Sequence, residues 1–341
     1  MPIIMGFLAT ALATAPKGGM PAVAQVLPTV YEAGHFYAVP ETMDGQKLKL
    51  LVDTGGGGDG GMYWLTKAAA DRLHLTPVAC MADGGRKIPV ARVPDYTPGA
   101  GLPPPARMAC GGTATLLVFA DDYDTDGQLG SGYLPGRTWT FDYPARRLAL
   151  EAADWHADAS AHATALGFRR DDAGQRISGM PRIVIRVDGR PLDMLLDTGA
   201  TAHPTAAGEK ASGTPTVNGE GVASYITTSV LERWHKAHPD WRVVDKGDDL
   251  GGPEQATRLI EVPKVEIAGW TVGPVWFTER ADANFGATDG GMSQYTDRIV
   301  SGAVGANVFR HFVMTLDYPR ETVWFRCAGD CKPAATPPPA P

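Results

Sequence analysis

The feature that most constrains this chain is a repeat within it. The triplet Asp-Thr-Gly occurs twice, at residues 53–55 and 197–199. Asp44-Gly45 stands nine residues ahead of the first triplet Asp, and Asp188-Gly189 stands nine ahead of the second. Leu48, Leu51 and Val52 lie between them in one copy, and Leu192, Leu195 and Leu196 in the other. Asp-Gly between extended apolar runs is a strong hairpin signal. Ile183, Ile185 and Val187 alternate with polar residues, as a half-buried strand does. Each triplet is therefore expected to follow a hairpin and to end an apolar strand. The copies also close alike. Gly130 stands twelve residues before the Asp of Trp139-Thr140-Phe141-Asp142-Tyr143-Pro144. Gly305 stands twelve before the Asp of Met314-Thr315-Leu316-Asp317-Tyr318-Pro319. The triplets are 144 residues apart and the Asp-Tyr-Pro segments 175 apart, so the second half holds about 31 extra residues, expected in loops.

A length of 341 residues suits two domains and substantial cores. With 41 Gly and 28 Pro, turns should be many and strands short. Hydrophobic content of 44% with 20% charge excludes a disordered chain. A net charge of −7, with no run of Lys and Arg, argues against a nucleic-acid partner. Helices are expected over residues 65–75 and 229–241. Leu65, Ala69 and Leu73 share a face in the first, and Val230, Leu231 and Trp234 in the second. Residues 202–222, rich in Gly, Ala, Thr and Pro, read as a long loop.

The residues around both triplets resemble the retropepsin-like and pepsin-like aspartyl protease family in its bacterial form. Leu195-Leu196-Asp197-Thr198-Gly199-Ala200-Thr201 and Phe312-Val313-Met314-Thr315-Leu316-Asp317-Tyr318-Pro319 carry the resemblance most closely. It extends over nearly the whole chain after the first residues, once per half. The resemblance implies a mainly β, bilobal acid-protease fold: two related β-barrel-like lobes with a cleft between them. The divisions expected are 25–150 for the N-terminal lobe, 151–165 for a linker, 166–328 for the C-terminal lobe and 332–341 for a Pro-rich tail. Asp53 and Asp197 are then the catalytic pair of an aspartic endopeptidase. Thr54 and Thr198 link the two triplet loops, and Gly55 and Gly199 let backbone approach the carboxylates. Two carboxylates at close range cannot both ionise cheaply, so one keeps a proton while the other activates water. No cofactor or metal is implied. The substrate implied is a peptide or unfolded protein, and with two lobes in one chain a monomer suffices. A flap over the site is expected at Asp83-Gly84-Gly85, where Ile88, Val90 and Val93 follow; Gly251-Gly252 with Leu259 and Val262 is its counterpart.

The first half departs from the family pattern. Its triplet runs on as Gly56-Gly57-Gly58-Asp59-Gly60-Gly61, where the family carries Ala or Ser. Gln128 stands where the family prefers an apolar residue, while Ala303-Val304-Gly305 keeps the pattern. These departures leave open a non-catalytic protein that binds extended peptides with the same fold. Residues 1–24 resemble a signal peptide, with an apolar stretch over residues 3–15 and a small-x-small site at Ala22-Val23-Ala24. A periplasmic or secreted protein is expected, with no membrane span. Cys80, Cys110, Cys327 and Cys331 permit three pairings; Cys80 with Cys110 and Cys327 with Cys331 is the simplest. They form no Cys-x-x-Cys pair, and His235 and His238 lack an evident third ligand, so no metal site is expected.

Overall fold

The computed structural model describes residues 24–56, 63–81, 87–105, 115–120, 123–288 and 290–335. Residues 1–23 of the expected leader, Asp59, Asp83, Gly84, Gly85 and Cys110 lie outside the described residues.

The chain is mainly β and bilobal. An eight-stranded sheet is drawn from the first half and a ten-stranded sheet from the second and the C-terminal end. Their centres are built alike. In the first half Leu50–Val52 pairs in parallel with Gly127–Leu129. That strand pairs antiparallel with Tyr63–Thr66, which runs parallel to Thr115–Phe119. In the second half Arg190–Leu196, Gly302–Val304, Tyr225–Thr227 and Val275–Arg280 repeat the same order and directions. The sequence repeat is thus a repeat of topology.

Both Asp-Gly pairs lie in turns. Asp188 (φ 51°) and Gly189 (φ 69°) join Arg182–Val187 to Arg190–Leu196 in the tight register Val187↔Arg190. Positive φ at both central residues is what a type I′ hairpin requires. Gly45 (φ 82°) sits in a wider turn closed by a Glu41↔Lys47 bridge, and His35–Ala38 pairs with Leu50–Val52 beyond it.

A six-stranded sheet joins the halves. Its central pair is made by the two Asp-Tyr-Pro segments, Thr138–Asp142 against Phe312–Asp317. Thr140 faces Thr315, with the hydroxyls 2.8 Å apart, and the register runs symmetrically outward through Trp139↔Leu316 and Phe141↔Met314. This is the self-complementary pairing of a two-fold axis, here inside one chain. Trp139, Phe141, Phe312 and Phe325 are fully buried in the core around it. Burying a side chain of that size contributes about 1.5–3 kcal/mol. Asp142 and Asp317 accept hydrogen bonds from the Ala145 and Arg320 amides, at 3.0 and 3.1 Å. Their repeated role is to close turns.

The helices differ from expectation at their edges. The first is Lys67–Arg72, since Leu65 belongs to the preceding strand; Thr66 caps it by accepting from the Ala69 amide at 3.1 Å. The second is Thr228–Ala237 and buries Val230, Leu231 and Trp234. It stops short of Trp241 because Pro239 follows His238, and a residue before proline avoids helical backbone. The expected loop 202–222 contains a further helix, Ala206–Ser212, capped by Thr205 and ended by Gly213 in the left-handed region. Gly208 inside it masks the helical pattern. That glycine is required because a Cβ there would lie 1.9 Å from the Gly247 carbonyl oxygen. Within the expected linker, His162–Ala165 forms an edge strand on Thr322–Cys327. Within the expected tail, Lys332–Pro333 pairs with Trp270–Val272 at a sheet edge, where a proline is tolerated. Cys327 and Cys331 form a disulfide with Cα atoms 6.0 Å apart, and Cys80 is also disulfide-bonded. Among the described residues no helix is long and apolar enough to cross a membrane.

Candidate active site

The site is assembled at the ends of two matched strands. The Asp53 amide donates to Leu129 O at 3.1 Å, and the Asp197 amide to Val304 O at 3.0 Å. These bonds extend each parallel pairing by one residue and deliver each carboxyl to the junction of the lobes.

The threonines lock the two loops together. The Thr54 amide donates to Thr198 Oγ1 at 3.1 Å, and the Thr198 amide to Thr54 Oγ1 at 3.0 Å. Each hydroxyl then donates into the opposite lobe: Thr54 to Leu196 O at 2.6 Å and Thr198 to Val52 O at 2.8 Å. Both threonines are buried, so each of these groups would stand unpaired if its partner were lost.

The glycines permit the approach. A Cβ on Gly55 would lie 2.3 Å from Asp197 Cγ, and one on Gly199 would lie 2.3 Å from Asp53 Cγ. Each glycine amide also donates to its own triplet Asp, Gly55 at 2.8 Å and Gly199 at 3.0 Å. The two carboxyl groups are thereby brought within reach of each other's charge.

This arrangement separates the acids. Burial pushes Asp197 well above the usual carboxylate range, and the neighbouring Asp53 charge adds to the rise. Burial also raises Asp53, but bonds from Asp197, the Gly55 and Gly56 amides and Gln128 oppose it. The two carboxyls titrate as a pair that shares one proton. A base and an acid then stand side by side, which is what activating water and protonating a leaving amine require.

Two neighbours distinguish the lobes. Gln128 Nε2 donates to Asp53 Oδ2 at 2.6 Å, and Gln128 Oε1 accepts from the Trp64 indole at 3.1 Å. His35, 2% exposed, packs on the second triplet loop and bonds to the Gly199 and Ala200 backbone. Its strand residue type alone carries no signal for this role. Tyr225 braces the same loop, accepting from the Thr201 amide at 2.7 Å.

Burial lowers the His35 pKa to about 4, and the backbone bonds only partly oppose this. Between pH 6.5 and pH 4 the unfolded chain therefore binds a proton that the folded chain refuses, and stability falls as pH falls. The expected loss is about 3 kcal/mol over that window. Melting His35→Gln beside the parent from pH 7 to pH 4 checks this: the variant should lose less stability. Parallel curves would show that His35 does not stay neutral in the fold.

Val78–Met81 and Lys87–Arg92 pair antiparallel up to Met81↔Lys87 on either side of the expected flap tip. The counterpart around Gly251-Gly252 is a hairpin of Val243–Asp248 and Thr257–Val262. Tyr96 meets the Tyr63 hydroxyl and packs on the core. His238 stacks on Trp241 at 4.2 Å and bonds to Asp188 at 3.1 Å. No cluster of three or more His, Cys, Asp or Glu suited to a metal occurs among the described residues.

No family model matches the chain, and no curated protein matches it in sequence. Among solved structures it is similar to an aspartic proteinase from Irpex lacteus: 12% identity, 90% of this chain and 98% of that one, TM-score 0.46. It is also similar to Basic 7S globulin from soybean: 12% identity, 91% and 96% coverage, TM-score 0.45. Conglutin gamma, a basic 7S globulin from lupine seeds, is similar at 12% identity, with 91% and 96% coverage and TM-score 0.41.

Proposed function

We propose that the chain is an aspartic endopeptidase whose catalytic pair is Asp53 and Asp197. The observation that carries this reading is the close approach of two buried carboxyls at the ends of matched strands, each against the glycine of the other triplet, with their pKa values driven upward. A water held between them loses a proton to the ionised carboxylate as its oxygen bonds to the peptide carbonyl carbon. The protonated carboxyl gives its proton to the carbonyl oxygen. The tetrahedral diol then collapses: the C–N bond breaks, a proton passes to the amine nitrogen, and a carboxylic acid remains. No cofactor is needed for this sequence. The substrate class is an extended peptide or unfolded protein, and one chain holds both acids. Export is part of the same reading, on the small-x-small site and the cysteine pairing; its measurable consequence is a mature chain beginning at Gln25.

Incubation with acid-unfolded protein near pH 4 tests the activity. Cleavage is expected, and the transition-state analogue pepstatin should block it. Intact substrate across a diverse peptide library, with the folded chain binding peptides unchanged, would replace this reading by that of a peptide-binding protein.

A further inference from the structure

The two departures of the first half, Gly56 and Gln128, meet in space. A Cβ on Gly56 would lie 2.0 Å from Gln128 Nε2 and 2.1 Å from Asp53 Oδ2. The matching positions of the second half hold Ala200 and Ala303, both buried. In the first half the Gln128 amide occupies the volume that a side chain at position 56 would take. Each departure makes room for, or is made necessary by, the other.

The orientation of that amide is determined. Trp64 is 6% exposed, and its indole N–H can only donate. Gln128 Oε1 must therefore face Trp64, which turns the NH2 group onto Asp53 Oδ2. An NH2 group cannot accept, so a proton on Asp53 Oδ2 would set two donors against each other. A carboxylate there gains a charge-assisted bond instead.

We propose that Gln128 is a positioning residue that makes Asp53 the ionised member of the pair and leaves the shared proton on Asp197, an assignment that rests on the peptidase reading above. The donors agree with it. Asp53 receives the Gly55 and Gly56 amides and Gln128; Asp197 receives the Gly199 and Ala200 amides, and Ala303 at the position matching Gln128 has no side chain that can donate. The titratable groups around the pair do not reverse this. His35 is neutral above about pH 4, and burial holds Tyr143, Tyr225 and Tyr318 protonated. Asp53 is thus the base that takes the proton from water, and Asp197 the acid that protonates the carbonyl oxygen.

Carbon-13 NMR of the aspartate Cγ atoms, assigned through the Gly55 and Gly199 amides, tests this in the full chain. In the parent, Asp53 should ionise first; first ionisation at Asp197 overturns the proposal without any variant. In Gln128→Leu that first ionisation should move up by about one to two pH units, since a bond to a charged group is worth about one to two such units. The acid limb of kcat/KM should move with it while KM changes little. Trp64→Phe, which frees the amide to turn, should give a smaller shift of the same sign. An unmoved titration in folded Gln128→Leu or Trp64→Phe overturns the proposal. A parent that shows these shifts but cleaves no peptide removes the peptidase reading and leaves the charge assignment standing.

Discussion

Asp53→Asn and Asp197→Asn are each expected to reduce kcat/KM for an unfolded-protein substrate by about 10²–10⁴-fold, the range that loss of an acid or base produces. The amide keeps the shape of the carboxyl and its bonds to the glycine N–H groups, so the fold should persist. What is lost is the shared proton. An Asn at 53 cannot take a proton from water, and one at 197 cannot give one to the carbonyl. The stability effect has a definite sign. Burial raises both carboxyl pKa values, so the folded chain holds a proton that the unfolded chain releases above about pH 3.9. Ionisation therefore favours unfolding, and this cost grows as pH rises through and above that value. Asp197→Asn should melt at or above the parent near pH 7 and lose that advantage near pH 3, whereas in Asp53→Asn the new NH2 group faces the Gln128 NH2 and offsets the gain. Steady-state kinetics with thermal melts at both pH values check this. Activity within tenfold of the parent in both variants would remove the pair from the mechanism.

The second large effect is expected from one methyl group. In Gly199→Ala the new Cβ lies 2.3 Å from Asp53 Cγ and 2.6 Å from its Oδ1. No rotation of a flexible side chain relieves this, because the Asp53 carboxyl is held by Gly55 and Gln128. The two loops must separate, and a displacement of about 1 Å at reacting groups costs on the order of 10²-fold in rate. Overpacking adds about 1–3 kcal/mol of destabilisation. Gly55→Ala should behave alike, since its Cβ meets Asp197 Cγ at the same distance. Gly45→Ala is the control. That turn glycine has φ 82° and nothing within 4 Å of a new Cβ, so about 1 kcal/mol of strain and unchanged kinetics are expected. Equal kinetics for Gly199→Ala and Gly45→Ala would show that close packing of the triplets is not what holds the acids together.

Much of this arrangement is legible in the residues because it is local and repeated. The hairpin at Asp188-Gly189 follows from the left-handed backbone that an Asp-Gly turn needs. The buried faces of Thr228–Ala237 follow from its period. The errors also have local causes. Gly208 hides the helix Ala206–Ser212, and the apolar Leu65 fits a strand and a helix equally well. The Gly56 and Gln128 departures, read along the chain, look like separate losses of the family pattern in the first half. In three dimensions they form one hydrogen-bonded unit on Asp53. His35 gives no warning at all, because its strand pattern is the same whether its side chain meets solvent or the second triplet loop.

The sequence by itself determined that there are two equivalent halves, that each ends an apolar strand on Asp-Thr-Gly, and that the acids come as a pair. Periodicity and turn chemistry act over a few residues and suffice for that. Only the tertiary structure decided that Thr140 meets Thr315, that each threonine of the triplets bonds across to the other lobe, and that Gln128 singles out Asp53. Those contacts join residues 75 to 175 positions apart. Their geometry depends on how two whole sheets pack, which no local pattern encodes.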